Sequence, residues 1–162
     1  MSETIRRVRA GDEAELTAMI HELAEFEQAA RECTVTETQL AEALFGPDPT
    51  VFGHLVEVDG RPAAAALWFR NFSTWDGKAG IYLEDLFVRP DFRRRGLARK
   101  LLATLARECV DHGYTRLSWA VLDWNVNAIA LYDDVGGVQQ TDWITYRVSG
   151  PGLSELAAES GT

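Results

Sequence analysis

The stretch from Ile81 to Leu102 constrains this chain most, because it reads as a strand, a basic turn and a helix in immediate succession. Ile81 to Val88 is rich in β-branched, aromatic and aliphatic residues, and Pro90 ends the run because it has no N–H for a ladder. From Leu97 the apolar residues recur at helical spacing, as Leu97, Leu101, Leu105 and Cys109, with Leu102 and Ala106 on the neighbouring stripe. Between strand and helix stand Arg93, Arg94, Arg95 and Gly96. The first turn of a helix carries unpaired N–H groups and the positive end of the macrodipole, so an anion is favoured there and basic side chains are not. Three arginines at such a place call for an anion; the plainer alternative is a solvated positive loop. Glycine lets a phosphate approach the backbone, and arginines add charge-assisted hydrogen bonds. A phosphate or pyrophosphate is the natural ligand.

The known phosphate loops narrow the choice. No Gly-Lys-Ser/Thr ending and no G-x-G-x-x-G occurs, which excludes a Walker A loop and a dinucleotide fingerprint. The string present is Arg93-x-x-Gly96-x-Ala98. There is no G-x-S-x-G elbow either, and His21, His54 and His112 lack metal-ligand spacing, so no metal is expected. Net charge is −9 over 162 residues, which disfavours nucleic acid as a partner and favours a cationic one. A hydrophobic content of 46% fits one domain over 1–162. Cys33 and Cys109 form no CxxC pair, no apolar run approaches membrane-spanning length, and the start lacks a signal peptide's apolar segment, so the expectation is a cytoplasmic protein that does not enter a membrane.

Taken in order, Ile5 to Arg9 is a short strand, and Asp12 is positioned to cap the next helix, with Leu16, Ile20, Leu23 and Phe26 on its apolar side. Its far end is acidic, at Glu22, Glu25 and Glu27. Thr36-x-x-Gln39 matches a capping box for a second helix, stopped by Gly46-Pro47. Val51 to Val58 and Pro62 to Phe69 flank Asp59-Gly60, a strong hairpin signal, so the small run Ala63 to Ala66 is read as strand. Trp75 sits in a turn-rich loop, as a pocket wall or a core plug. After the helix from Leu97, His112-Gly113 signals a C-cap and Arg116 to Leu122 reads as a strand parallel to that of Ile81 to Val88. Asn125 is a candidate N-cap for a short helix through Tyr132. Gln140 to Val148 alternates and reads as a last strand, and residues 151–162 as a tail or frayed helix.

Three strings together resemble the GNAT superfamily of N-acetyltransferases: Tyr82-Leu-Glu-Asp-Leu-Phe-Val88, Arg93 to Ala98, and Leu122-Asp-Trp-Asn-x-x-Ala-Ile-x-Leu-Tyr132-x-x-x-Gly136. Glu22-Leu-Ala-Glu-Phe-Glu27 and Ser73-Thr-Trp-Asp-Gly77 are similar to the spermidine/spermine, diamine and thialysine branch. The resemblance runs from Ile5 to about Val148. It implies an α/β (α+β) fold with a mixed, mostly antiparallel, splayed central sheet flanked by helices. It also implies acetyl-CoA in the V between two strands, with Leu86, Phe87 and Val88 on the pantetheine. Arg93, Arg94, Arg95, Gly96, Leu97, Ala98 and Arg99 would hold the pyrophosphate, Ala98 standing where glycine is commoner. Asn125, Ala128 and Tyr132 would face the cofactor.

Acetyl transfer to an amine needs a neutral nitrogen, yet a free alkylamine has a pKa near ~10.4. A base must take that proton, fixed donors must hold the oxyanion, and an acid must protonate the departing thiolate. Glu84 and Asp85 are neighbours on a strand and point to opposite faces. The resemblance selects Glu84 as a base acting through water and Tyr132 as the acid; the alternatives are a structural carboxylate paired with Arg89 and a core tyrosine. Phe26, Glu27, Glu84, Asp85, Trp119 and Asp142 are the implied acceptor residues, suited to a polyamine, diamine or thialysine-like amine. A peptide acetyltransferase and a non-catalytic acyl-CoA-binding module are the competing readings. A homodimer is expected from the resemblance and from the apolar last segment.

Overall fold

The computed structural model describes residues 2–161. In chain order it comprises β1 (Glu3–Arg7), α1 (Glu13–Phe26), α2 (Glu37–Phe45), β2 (Phe52–Val58), β3 (Arg61–Ser73), β4 (Lys78–Val88), α3 (Leu97–His112), β5 (Leu117–Trp119), α4 (Val126–Asp134) and α5 (Pro151–Ala158). The five strands lie side by side in chain order, the first four antiparallel and β5 parallel to β4. This is the mixed sheet that the sequence predicts. The β2–β3 hairpin turns on Asp59 and Gly60, whose φ values of 50° and 75° give the two left-handed residues such a turn demands. The capping box at Thr36 and Gln39 is formed.

Each face of the sheet carries its own core. On one, Val56, Ala64, Ala66, Ile81 and Leu83 pack under Leu97, Leu101 and Leu105 of α3. On the other, Leu55, Ala65, Leu67 and Phe87 pack against Leu16 and Met19 of α1 and Leu40 and Leu44 of α2. With helices on both sides, Ala63 to Ala66 is wholly interior, and small side chains let the layers close over β3.

α3 is fastened at its C-terminal half. Trp68 Nε1–H donates to His54 Nδ1 at 3.2 Å, which leaves the proton on Nε2, facing Glu108 Oε1 at 3.5 Å. Arg7 Nε donates to the same Glu108 oxygen at 3.0 Å. Burial holds His54 below the usual imidazole range, so the ring is neutral at pH 7.

Two features of β4 break the continuity of the sheet. Leu67 pairs with Asp85 and Trp68 with Leu83, so Glu84 is an extra residue with no partner of its own on β3. That bulge bends the strand and shifts its alternation. In addition, β5 accompanies β4 for three pairs only, from Ile81–Leu117 to Leu83–Trp119. Beyond Leu83 the edge of β4 is open.

Several expectations are corrected. The strand predicted over Arg116 to Leu122 is limited to Leu117–Trp119. Gln140 to Val148 forms no strand, since the segment pairs with none of the five strands, and Trp143, Ile144 and Tyr146 lie exposed. Asp12 occupies the N-cap of α1, where its backbone carbonyl accepts from the Leu16 N–H, but its side chain makes no cap bond, because the carboxylate accepts from Arg6 and from the Arg9 N–H. Trp75 is 83% exposed and neither walls a pocket nor plugs the core. Residues 151–158 are an ordered helix.

Gly80 sits where β4 and β5 come closest. A Cβ there would lie 2.7 Å from Asn71 Oδ1 and 2.8 Å from the Arg116 carbonyl, both shorter than contact permits. Gly80→Ala must therefore push β5 away, and is expected to cost about 1–3 kcal/mol of stability. Urea denaturation checks this; a midpoint equal to wild type would show that the strands tolerate separation at their base.

Candidate active site

Where β4 and β5 part, a cleft of about 470 Å³ opens. β4 and the turn before α3 form one wall. Trp119, Ala120 and Val121 with one side of α4 form the other, and Leu23, Phe26 and Glu27 at the end of α1 cover it.

One end of the cleft is built for an anion. Gly96 takes φ 76° as the N-cap of α3 and Arg94 takes φ 63°, so the chain winds through two left-handed residues before the helix starts. The site of a Cβ on Gly96 is open space, so glycine is required there for its conformation. The first N–H groups of α3 have no partner within the helix and face this end with its positive dipole. Arg93, Arg94, Gly96, Leu97, Ala98 and Arg99 all line it. Arg93 Nε donates to the Val88 carbonyl at 3.1 Å. Arg99 pairs with Asp134. Leu86, Phe87 and Val88 line the adjoining wall, on the edge β5 has left. An unpaired strand edge leading to a helix N-terminus fits an extended amide chain ending in a diphosphate.

The other end is acidic. Glu27, Glu84 and Asp85 all line it. Burial, then the charges of Glu84 and Glu27, push Asp85 up to about 6. Burial also raises Glu27. Arg89 supplies these carboxyls with no counter-charge: it is held by Glu15 at 2.9 Å and Glu22 at 3.1 Å. The structural alternative for Glu84 and Asp85, a pair with Arg89, is thereby not realised.

Tyr132, on α4, lines the cleft with its ring edge-on to Trp119 at 5.2 Å. Burial, reinforced by Glu27, raises its phenol, which stays protonated at neutral pH. Asn125 Oδ1 accepts from the Ala128 N–H at 3.3 Å, fixing the start of α4, and both residues line the cleft.

The residues drawn from three separate strings of sequence thus converge on one cavity. Two do not: Arg95 lies outside the lining, its guanidinium 5.5 Å over the Phe92 ring, and Asp142 is exposed in the irregular C-terminal segment. Leu23, Leu83, Phe92, Ala120, Val121, Asn127 and Leu131 also line the cleft, beyond what the sequence singles out. Leu23 lies one turn from Phe26 and Leu131 next to Tyr132, so helical spacing held that signal; nothing local marks Ala120 or Val121.

Comparison with known proteins agrees with this geometry. The profile of the acetyltransferase (GNAT) family matches residues 16–136. A thialysine N-epsilon-acetyltransferase of Caenorhabditis elegans is 43% identical over 152 residues, covering 91% of this chain and 93% of its own. One from Sus scrofa is 32% identical, covering 98% and 99%. Among solved structures, an integron cassette protein from the mobile metagenome of V. cholerae superposes with a TM-score of 0.81 at 25% identity, over 97% of this chain and 98% of that one. An aminoglycoside N-acetyltransferase solved with CoA shares the fold, at a TM-score of 0.71 and 18% identity over 92% and 96% of the two chains. With the family profile spanning the cleft and both its walls, the chain belongs to the GNAT family and is an N-acetyltransferase.

Proposed function

We propose that this enzyme, one catalytic domain over residues 1–162 acting in the cytoplasm, moves an acetyl group from acetyl-CoA to a primary amine of a small cationic acceptor. Thialysine is the first candidate and diamines and polyamines the next. The observation that carries the reading is the polarity of the cleft: an anion-binding turn at one end, and Glu27, Glu84 and Asp85 together at the other. Carboxylates short of counter-charge attract and hold ammonium groups. Relatives named for thialysine, and an L-ornithine N5-acetyltransferase of Arabidopsis thaliana at 28% identity, act on amines of this kind by name.

Acetyl-CoA, when bound, supplies the thioester carbonyl and leaves as a thiol. The chain's own residues do the rest. Arg93, Arg94 and Arg99 with the Gly96–Ala98 backbone hold the diphosphate, and the open β4 edge orients the amide arm; Arg95, turned aside, adds charge only. Glu84, exposed on its bulge, accepts the ammonium proton through a water, since a carboxylate is a poor direct base for an ammonium. Glu27 and Asp85 hold the cationic body of the acceptor, with Phe26 and Trp119 as its apolar sides. The Tyr132 O–H donates to the departing thiolate, which a phenol of higher pKa does only from close range.

The apolar segment Gln140–Val148 fits a homodimer in which a second copy covers Trp143, Ile144 and Tyr146 and brings Asp142 toward an acceptor site. The net negative charge argues against nucleic acid and anionic membranes as partners.

A thiol-release assay over thialysine, lysine, ornithine, putrescine, spermidine and a lysine peptide tests the substrate reading. Turnover on the free amines and none on the peptide is expected; peptide turnover alone would overturn it. Tyr132→Phe should lower kcat by about 10²-fold or more with little change in the KM for acetyl-CoA; an unaltered kcat would remove Tyr132 from the reaction. Asp85 carries its charge only above about pH 6, so kcat/KM for the cationic acceptor should fall as pH drops through about 6. Asp85→Asn should flatten that limb and lower kcat/KM at pH 7.5 by about tenfold. Stability moves the opposite way. The folded pKa is raised, so the ionised form disfavours folding above the unfolded value, by about 1.4 kcal/mol per pKa unit of difference. Asp85→Asn is accordingly expected to raise the melting temperature at pH 7.5 but not at pH 4. Light scattering at micromolar concentration should return twice the 18.0 kDa chain mass, and the single-chain mass would exclude the dimer.

A further inference from the structure

The acceptor end of the cleft is roofed by Phe26, and what fixes Phe26 lies outside the cavity. Phe26 is the last residue of α1, with no further helical turn to pack its ring. Its ring instead meets two side chains: the Arg93 guanidinium, 5.2 Å away, and the Trp124 ring, 5.9 Å away at 51°. Three elements far apart in sequence meet in this stack: the end of α1, the turn before α3, and the loop between β5 and α4. Arg93 and the Trp124 loop are held by backbone. Arg93 is tied to Val88, and the Trp124 loop is closed by Asn125 N–H to the Leu122 carbonyl at 3.0 Å and Val126 N–H to the Trp124 carbonyl at 2.9 Å. The end of α1 is tied by backbone too, through Glu27 N–H to the Leu23 carbonyl at 2.9 Å and Ala29 N–H to the Ala24 carbonyl at 2.8 Å, so what the contacts with Arg93 and Trp124 set is the direction of the Phe26 ring.

We propose that Trp124 is a positioning residue that sets the width of the acceptor mouth by bracing Phe26, and so restricts the enzyme to slim, unbranched amines. Trp124 does not line the cleft, so it acts through Phe26, which does. Both rings are a little under half exposed, at 43% for Phe26 and 46% for Trp124, which places the contact at the rim and not in the core. Without the brace the Phe26 ring is free to turn outward. That widens the mouth. Tyr132 and Glu84 are untouched.

The inference rests on the amine-acceptor reading above and is tested beside it, with Trp124→Ala and Trp124→Phe assayed on thialysine and on a capped tripeptide with lysine at its centre. An aromatic pair of this kind contributes about 0.5–1.5 kcal/mol, so Trp124→Ala should raise the KM for thialysine about two- to tenfold. kcat and the KM for acetyl-CoA should stay near wild type, and the ratio of kcat/KM for tripeptide over thialysine should rise. Trp124→Phe keeps a ring against Phe26 and should restore most of the thialysine KM and the discrimination. A merely structural role would lower kcat for both acceptors alike, together with the melting temperature, and that pattern overturns the proposal. So does an alanine variant whose acceptor ratio equals that of wild type. A wild-type enzyme that binds acetyl-CoA yet turns over no amine sinks the acceptor reading itself and this inference with it, whereas normal thialysine turnover with indifferent variants sinks the inference alone.

Discussion

Everything functional in this molecule depends on two parallel strands that pair for three residues and then part. Ile81, Tyr82 and Leu83 hold Leu117, Ser118 and Trp119; from Glu84 onward the sheet is split. A continuous pair would satisfy both edges and leave no cleft, while strands apart along their whole length would leave the core under α3 open. The compromise is enforced at two points. Gly80 allows contact at the base that no side chain would permit, and the Glu84 bulge turns β4 away just above it. The same bulge lifts Glu84 out of the ladder and sends Asp85 to the side of α1, so the break in the sheet and the placement of the carboxyls have a single cause.

The split also explains the electrostatics. A chain with net charge −9 sets Arg93, Arg94 and Arg95 side by side in the turn after β4, and leaves three carboxyls of the same cleft short of cations. Several acids elsewhere are paired: Asp12 and Glu57 with Arg6, Glu15 and Glu22 with Arg89, Asp76 with Arg116. Asp85 at about 6 is the measure of the difference, since half-buried carboxylates without partners resist ionisation. Strain of that kind is expected where a ligand, not the protein, completes the charge balance.

Local chemistry made much of this legible. The β4–turn–α3 passage, the Asp59-Gly60 hairpin, the Thr36 capping box and the Asn125 cap are each fixed by residues within a few positions of one another, and each stands as the sequence predicts. Features that depend on a distant partner were not legible. Alternation over Gln140–Val148 reports the propensity of a strand but not whether the segment will reach an edge, and here it pairs with none. Asp12 has the character of a cap, yet Arg6 claims its carboxylate. The three-residue length of β5 is set by the bulge on its neighbour, which no pattern in Arg116–Leu122 records. Family resemblance reaches further than spacing, grouping strings that meet in one cavity, because it carries tertiary information that spacing lacks. It is silent on Ala120 and Val121, whose role is only to be where the diverging strand leaves them.

The turn after β4 and the end of α1 border the same cleft and differ in how firmly they are set, and this follows from where each is anchored. The turn leads into α3, whose apolar stripe is buried against the sheet along its length and whose far half is bound by Glu108 to Arg7 on β1 and set against His54 on β2. Displacing that turn means moving a whole helix and breaking a partly buried charged network. The end of α1, which covers the cleft, lies beyond the buried Leu16 and Met19, where Gln28 takes φ 61°. It is held by its own helical hydrogen bonds, by the Glu22–Arg89 pair, by Leu23 and by the ring contacts of Phe26. A transferase with one constant co-substrate and one variable acceptor would be well served by this division: on the proposed reading the side anchored by α3 would fix the thioester relative to Tyr132 and Glu84, and the end of α1 would be where a few side-chain contacts decide which amine is admitted.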